Sequence, residues 1–364
     1  MAIDAPCSGN GACGKCRVQL KSGELESKKT LHISDEEYQA GWRLSCCSKI
    51  SADVNVLVPD IASAYKSRMK VADLSSKEEI AIFENAKSDI QLAGIELKNS
   101  LEVVDVLMDV PSLDDTMPDN ERLTRALRKY LNINRVRIPY VVLKKLPDVL
   151  RENNFAVKCV IRATSDDMYV YDIFGKDEDV VIGGLAIDIG TTTVSAVLIN
   201  MENGEILAKS SAGNGQIRFG ADVINRIVES QKPGGQKKLQ DAVIKETINP
   251  MIHEMCRSAN FPANRIYRMC VASNTTMNHL FAGINSDPLR TEPYIPAFFK
   301  TNSLFASDVG VDINKDAHII MAPNIGSYVG GDITAGTLDS QIWNRPEFSL
   351  FIDLGTNGEL VFGN

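Results

Sequence analysis

The amino-acid sequence predicts a multidomain protein that combines α+β and α/β parts. Its 364 residues suffice for two to three domains of roughly 150 residues each. Most of its eight cysteines lie close to the N-terminus, and a short motif that follows an apolar, strand-like run occurs twice in the second half of the chain. These observations indicate a small cysteine-bearing domain, a connecting region and a larger α/β domain.

Composition and charge exclude several classes of protein. Apolar residues make up 44% and charged residues 24%, as is typical of a soluble globular protein. The net charge of −8 leaves no basic footprint for nucleic acid or an anionic membrane surface. The longest apolar run, Val180 to Ile187, is far shorter than the roughly 20 residues of a spanning helix, and no export signal opens the chain. We therefore expect a cytoplasmic protein with neither nucleic-acid nor membrane partners.

The chain up to residue 180 divides into three predicted segments. Residues 1–60 hold the clustered cysteines and end in a strand-like run, Val54 to Pro59. Residues 61–100 predict a helical linker, with a helix that begins at a serine cap, Ser75 or Ser76, followed by glutamate. Residues 101–180 predict a small mixed α/β middle domain without chemical motifs, which favours a spacer or docking role. Its predicted elements are strands at Val103–Val110, Val157–Ile161 and Met168–Ile173 and a helix at Asn120–Tyr130.

The N-terminal cysteines have the spacing of a metal centre. Cys7, Cys13 and Cys16 follow one another with five and two residues between them, and Cys46 is distant. The residues between them are small, so the backbone can wrap closely around an inorganic cluster. Four thiolates, three on one loop, form the ligand set of a 2Fe–2S centre. One alternative is a zinc site, but such a site would use a second Cys-x-x-Cys pair, which this sequence lacks. The other is a Cys-x-x-Cys redox pair at residues 13 and 16, but such a pair would open a helix, which the glycine-rich surroundings do not indicate.

At these residues the sequence resembles plant-type and adrenodoxin-type ferredoxins. The run Arg43-Leu44-Ser45-Cys46 is similar to the one that precedes the family's fourth ligand, which favours Cys46 over Cys47. The resemblance implies a β-grasp 2Fe–2S domain. Only six residues precede Cys7, where the family has a hairpin, so we expect a truncation at this end. The remaining cysteines are predicted to be buried small hydrophobes: Cys47, Cys159, Cys256 and Cys270.

The repeated motif predicts two phosphate-binding loops. Two apolar runs, Leu185–Ile189 and Val194–Ile199, flank the turn Gly190-Thr191-Thr192-Thr193, where glycine, successive N–H groups and hydroxyls can bind phosphate. Asp188 at the strand end suits Mg²⁺ held through water. The run Asp353–Gly358 offers the same chemistry, so a duplicated domain would place both loops in one cleft. The residues predicted to bind phosphate and Mg²⁺ are Asp188, Gly190, Thr191, Thr192, Thr193, Asp353, Gly355, Thr356, Asn357 and Gly358.

Four other features of the sequence have no clear functional signal: two allow either a functional or a structural interpretation, and two favour a structural one. Val223, Ile224, Ile227 and Val228 form one face of a predicted helix, which favours a core position. Asn274-Thr275-Thr276 suits either ligand contact or the cap of a helix near Met277. Gly330-Gly331-Asp332 suits either an anion or a tight packing turn. The histidines lack ligand spacing and are predicted at the surface or in the core: His32, His253, His279 and His318.

The two loops resemble those of the actin-like, ribonuclease-H-like ATPase fold of actin, sugar kinases and heat-shock chaperones. More narrowly, residues 183–364 are similar to the ATPase domain of the reductive activators of corrinoid proteins. The resemblance is carried by the runs Gly184–Thr193, Phe219–Ile224, Asn274–Met277 and Asp353–Glu359. It implies an incomplete ATPase domain whose second half, with the adenosine-binding motif, should follow Asn364.

The resemblance further implies an electron-transfer ATPase that binds a 2Fe–2S cluster and ATP with Mg²⁺. It would pass an electron to the Co(II) corrinoid protein of a methyltransferase system, regenerate Co(I) and draw on an external reductant; homodimerisation is left open. One alternative is another ATP-driven reductase, such as an acyl-CoA dehydratase activator. A second is a ferredoxin-like module with a non-catalytic, partner-binding actin-like domain. No residue is nominated as catalytic.

Overall fold

The computed structural model describes residues 14, 16–58, 77–95, 101–131, 133–164, 166–301, 304–355 and 358–363. Cys7, Cys13, Thr356 and Asn357 lie outside these residues, as do the serines predicted to cap the linker helix. Within them, no helix combines the length and apolar character needed to cross a membrane.

The N-terminal unit is a small α+β structure. Strand β1 is the centre of a three-stranded antiparallel sheet, between β3 and β5, and β2 pairs with β4. A five-residue helix begins after Ser34, whose hydroxyl accepts from the Glu37 N–H while the Glu37 carboxylate accepts from the Ser34 N–H. The elements are β1 (Arg17–Ser22), β2 (Leu25–Ser27), α1 (Asp35–Gln39), β3 (Trp42–Leu44), a 3₁₀ turn (Ser45–Cys47), β4 (Ser48–Ile50) and β5 (Asn55–Leu57).

The next two segments follow the predicted elements closely. Helix α2 (Lys77–Leu92) lies in the predicted linker. The following segment is a four-stranded sheet in the order β6-β8-β9-β7, and helices pack against it to form a buried core. The elements are β6 (Leu101–Leu107), α3 (Asp119–Leu131), β7 (Arg135–Arg137), α4 (Tyr140–Leu143), α5 (Leu146–Glu152), β8 (Ala156–Ala163) and β9 (Asp167–Gly175).

The largest unit is a five-stranded sheet in the order β12-β11-β10-β13-β14. The first three strands form an antiparallel meander, and β13 and β14 run parallel to β10. This mixed sheet is the one expected for the predicted ribonuclease-H-like fold, so the predicted fold class is confirmed. Its strands are β10 (Gly183–Ile189), β11 (Thr193–Asn200), β12 (Ile206–Gly213), β13 (Ile266–Ser273) and β14 (His318–Met321).

Helices between and after these strands cover the sheet, and a separate antiparallel hairpin, β15–β16, follows. The helices are α6 (Val223–Ser230), α7 (Gly235–Val243), α8 (Asn249–Ser258), α9 (Thr275–Ala282), α10 (Ala306–Val309) and α11 (Gly331–Ser340), with a π turn at Ile244–Ile248. Short 3₁₀ turns lie at Gly215–Phe219, Ala263–Arg265, Asp287–Leu289 and Ile342–Asn344; the hairpin strands are β15 (Ser349–Leu354) and β16 (Gly358–Gly363).

Two burial predictions are wrong in part. On α6, Val223 and Ile227 are buried, but Ile224 and Val228 are 41% and 45% exposed. Arg226 lies three positions after Val223 and is buried on the same face of the helix. Ile224 and Val228 each lie one residue after a buried apolar residue and face outward. Among the remaining cysteines only Cys159 is fully buried: Cys47 and Cys256 are half-buried, and Cys270 is exposed.

Candidate functional site

The first candidate site is a pair of thiols brought together by the N-terminal sheet. Cys16 immediately precedes β1, and the pairing of Arg17 with Leu44 continues into a hydrogen bond of 2.8 Å from the Ser45 N–H to the Cys16 carbonyl oxygen. The Sγ atoms of Cys16 and Cys46 consequently lie 3.1 Å apart, and both cysteines are free. This contact supports the predicted choice of Cys46.

The pocket around these thiols is apolar. Cys16, Ile33 and Leu44 are buried together, with the rings of Tyr38 and Trp42 against them. Burial raises the pKa of the Cys16 thiol, because the pocket disfavours a thiolate without a compensating cation. Two unoxidised thiols in contact within such a pocket fit a shared metal, which would supply that cation.

A third thiol and a glycine turn lie next to this pair of cysteines. The Cys47 Sγ is 3.7 Å from the Cys46 Sγ, so a further thiol adjoins the pair. Gly14 has a φ of +65°, and a Cβ there would come within 2.7 Å of the His32 side chain, so this turn requires glycine. Among the described residues no group of three or more histidine, cysteine, aspartate or glutamate side chains is arranged to hold a metal ion.

The second candidate site begins at the turn between β10 and β11. The strands pair as far as Ile189 and Val194, so the turn is Gly190 to Thr193, as predicted. A Cβ on Gly190 would lie 2.8 Å from the Thr193 carbonyl oxygen, so only glycine fits without displacing the backbone. The predicted hairpin position of this motif is thus confirmed.

Three successive carbonyl groups of this turn accept hydrogen bonds from two residues, Asn214 and Arg226. The Gly190 and Thr192 carbonyl oxygens accept hydrogen bonds of 2.8 Å from the side-chain and backbone N–H groups of Asn214. The Thr191 carbonyl oxygen accepts from the guanidinium of Arg226. Because a trans peptide places its carbonyl oxygen and the following N–H on opposite sides, the N–H groups of the three threonines face away from these anchors. Successive N–H groups on one side of a turn suit an anion.

The second loop lies on the β15–β16 hairpin. Asp353 pairs with Glu359 and Leu354 with Gly358, so the turn occupies the position that Gly190–Thr193 has in the first hairpin. Gly355 directly follows β15, and Gly358 is the first residue of β16. The sequence repeat therefore corresponds to two antiparallel hairpins, with four residues between the last paired residues of the first and three in the second.

Four carboxylates, one each on β10, α11, β15 and β16, influence one another electrostatically. Surrounding protein and then the charges of Asp332 and Asp353 raise the pKa of Asp188 to about 6, although its side chain is open to solvent. Burial and the Asp353 charge raise the pKa of Asp332, and burial followed by Asp332 and Asp353 raises that of Glu359. A cation would relieve this mutual repulsion. Asp188 and Asp353, both predicted from the repeat, are among the carboxylates whose charges act on one another.

Asp332 and Glu359 were not among the predicted site residues. The signal for Asp332 was present in Gly330-Gly331-Asp332, which the structure shows to be a packing turn at the start of α11. A Cβ on Gly330 would come within 2.5 Å of the Ser273 carbonyl oxygen. Asn214 and Arg226 carried no sequence signal as loop anchors.

The structure assigns Asn274 the capping role. Its side-chain oxygen accepts from the Thr276 N–H at 2.8 Å at the start of α9. The histidines lie as predicted, at the surface or within packed regions: His279 is buried and bonds the Thr275 carbonyl oxygen through Nδ1, whereas His253 faces the Asp312 carboxylate near the surface.

Family models match three stretches of the chain. Residues 1–51 match the 2Fe-2S iron-sulfur cluster binding domain, residues 90–180 the RACo linker region, and residues 183–345 the RACo middle region. A solved structure described as "Reductive activator for corrinoid,iron-sulfur protein" is 33% identical, has a TM-score of 0.66, and matches 100% of this chain and 57% of its own. Over its whole length the chain is therefore similar to a reductive activator for a corrinoid, iron-sulfur protein.

Curated relatives are similar to the whole chain or to a short stretch of it. The corrinoid activation enzyme RamQ of Eubacterium limosum is 28% identical over 366 residues, which is 100% of this chain and 54% of RamQ. One component of the Na(+)-translocating NADH-quinone reductase of Actinobacillus succinogenes is 40% identical over 60 residues, which is 16% of this chain and 15% of that component. The chain thus spans about half the length of RamQ and of the solved activator.

Proposed function

We propose that this protein couples ATP to the reductive activation of a corrinoid protein of a methyltransferase system, by transfer of one electron that converts Co(II) to Co(I). The observation that carries the proposal is the presence, in one chain, of a paired-thiol pocket in a 2Fe–2S domain and a two-hairpin carboxylate cluster. In support, RamQ is named as a corrinoid activation enzyme, and the solved structure as a reductive activator for a corrinoid, iron-sulfur protein. We place the reaction in the cytoplasm.

In this proposal residues 1–60 form the electron-transfer domain and residues 183–364 form the nucleotide-binding domain. Residues 61–100 form a helical linker, and residues 101–180 form the middle domain. Cys16 and Cys46, with Cys7 and Cys13, hold the cluster, which when bound supplies one-electron chemistry at low potential. The apolar side chains around Cys16 exclude water from that centre. The turn Gly190–Thr193 binds phosphate through its N–H groups, and Asp188 and Asp353 hold Mg²⁺ through water.

The need for ATP follows from the energetics of electron transfer. Plant-type 2Fe–2S centres have potentials of roughly −400 mV, and Co(I) formation requires a still lower potential. Each ~59 mV uphill corresponds to about 1.4 kcal/mol for one electron, so a gap of ~100–200 mV leaves a few per cent of product or less. We propose that nucleotide binding or hydrolysis favours a state of the complex in which the cobalt is easier to reduce.

The test uses the complete protein with its corrinoid partner, reduced anaerobically, and follows the Co(II) to Co(I) conversion by visible absorption. We expect conversion to require MgATP and to be abolished by Asp188→Ala, while the reduced protein keeps its 2Fe–2S electron paramagnetic resonance signal. Equal conversion without nucleotide would instead indicate an electron-transfer module with a non-catalytic actin-like domain. Persistent ATP-dependent conversion in Asp188→Ala would show that the phosphate-loop assignment is wrong.

A further inference from the structure

The side chain of Arg226 lies beneath the Gly190–Thr193 turn and is completely buried, at 0% exposure. Its Nη2 donates to the Thr191 carbonyl oxygen, and its Nε donates to the Gly220 carbonyl oxygen at 2.9 Å. Its Nη1 donates to the Gln216 side-chain oxygen at 3.3 Å and contacts the Met277 sulfur at 3.2 Å. The guanidinium therefore binds neutral groups on three separate segments: the Gly190–Thr193 turn, the 3₁₀ turn with the glycine that follows it, and α9.

This arrangement leaves a buried positive charge without an ion pair. Among the described residues no carboxylate oxygen pairs with the guanidinium; Asp222 favours its charged form only from a distance, and its oxygens accept from Asn225. Burial lowers the pKa of Arg226 to about 10, so the group is still charged at neutral pH. A buried charge is costly unless an opposite charge compensates it. The anion for which the adjoining turn is shaped would provide that compensation.

We propose that Arg226 is a positioning residue of the phosphate loop, which holds the Thr191 carbonyl inward and places a positive charge beneath the bound phosphate groups. This inference rests on the proposed nucleotide site. The planar guanidinium has donors in fixed directions and can serve Thr191, Gly220 and Gln216 together, whereas a lysine ammonium presents one compact centre. The turn would then depend on both the charge and the geometry of this side chain.

The experiment measures equilibrium binding of MgADP to the complete protein by titration calorimetry, for wild type, Arg226→Met and Arg226→Lys. Arg122→Met is the matched control, because Arg122 is also buried, at 1% exposure, but is paired with Asp115 in the four-stranded unit. We expect Arg226→Met to bind at least about tenfold more weakly, since a hydrogen bond from a charged group and a favourable charge are both lost. Arg226→Lys should bind several-fold more weakly, and Arg122→Met as wild type does.

The outcomes distinguish failure of the proposed role of Arg226 from failure of the proposed nucleotide site. A folded Arg226→Met protein with wild-type affinity would overturn the role of Arg226 and leave the nucleotide site intact. If Arg226→Met does not fold, Arg226→Lys decides, because unchanged affinity in that variant would exclude a role in positioning. Failure of wild type to bind MgADP would overturn the nucleotide site itself, and the role of Arg226 with it. If Arg122→Met lost as much affinity as Arg226→Met, the loss would come from general destabilisation, and the proposed role of Arg226 would be wrong.

Discussion

The sulfur atoms of Cys16 and Cys46 lie 3.1 Å apart, although one cysteine precedes the first strand and the other follows the third. The contact exists because β1 and β3 are antiparallel neighbours, with Arg17 opposite Leu44. Two of the predicted cluster ligands are thus positioned by the sheet rather than by their own loop.

The first prediction separates Cys46 from its neighbour. We expect Cys46→Ser to lose most iron and sulfide and the rhombic electron paramagnetic resonance signal, because a ligand in contact with Cys16 is removed. Cys47→Ser, the matched control, should keep both. Iron and sulfide assays on anaerobically purified protein measure the difference, and loss of the signal in Cys47→Ser alone would reassign the fourth ligand.

A second prediction concerns the stability contribution of Asp188. Because its pKa is raised to about 6 in the folded protein, the folded state binds this proton more tightly than the unfolded chain does. The contribution of Asp188 to the free energy of unfolding therefore rises as pH falls from about 6 towards about 4. At pH 7.5 Asp188→Asn should stabilise the ligand-free protein by about 1 kcal/mol, a value discounted for solvent screening.

Urea denaturation of the ligand-free protein at two pH values tests this sign. The advantage of Asp188→Asn should shrink at pH 4.5, where the wild-type carboxyl is protonated. Asp114→Asn, in an exposed turn, serves as the control for loss of one negative charge. A variant less stable than wild type at pH 7.5 would show that Asp188 is not under repulsion from Asp332 and Asp353.

The third prediction tests the turn itself. Gly190→Ala introduces a Cβ 2.8 Å from the Thr193 carbonyl oxygen, so we expect the turn to shift and the free energy of unfolding to fall by about 1–3 kcal/mol. MgADP binding to the complete protein should weaken at the same time. Gly213→Ala is the matched control, because Gly213 lies opposite Thr193 and nothing lies within 4 Å of the Cβ it would gain. Equal losses in both variants would argue against a specific steric requirement at Gly190.

The fourth prediction concerns the contact between the four-stranded and five-stranded units. The hydroxyl of buried Tyr267 donates to an Asp172 carboxylate oxygen at 3.1 Å, and Lys145 pairs with the same carboxylate. Tyr267→Phe removes one donor to a buried acceptor, so we expect a loss of about 1–3 kcal/mol in thermal or urea unfolding. Tyr140→Phe, with a ring that is 75% exposed, should change stability little. A neutral Tyr267→Phe would mean that Lys145 and the Ile173 N–H satisfy Asp172 without the tyrosine.

Local patterns in the sequence determined the elements that frame both sites. Apolar runs around Gly190 predicted the β10–β11 hairpin, and the repeat at Asp353 predicted a second one, because strand and turn preferences act over a few residues. Cysteine spacing likewise predicted a 2Fe–2S domain, and the family model over residues 1–51 agrees. In each case neighbours along the chain carried the information.

Only the tertiary structure decided which distant groups meet those elements. Asn214 and Arg226 anchor the phosphate turn from elements that follow it, and Asp332 joins Asp188 from the start of α11. On α6, apolar periodicity misjudged the buried face, since a charged Arg226 lies inside while Ile224 and Val228 face outward. Contacts between segments far apart in the chain depend on how sheets and helices pack together, and periodicity within one helix or strand contains no record of that packing.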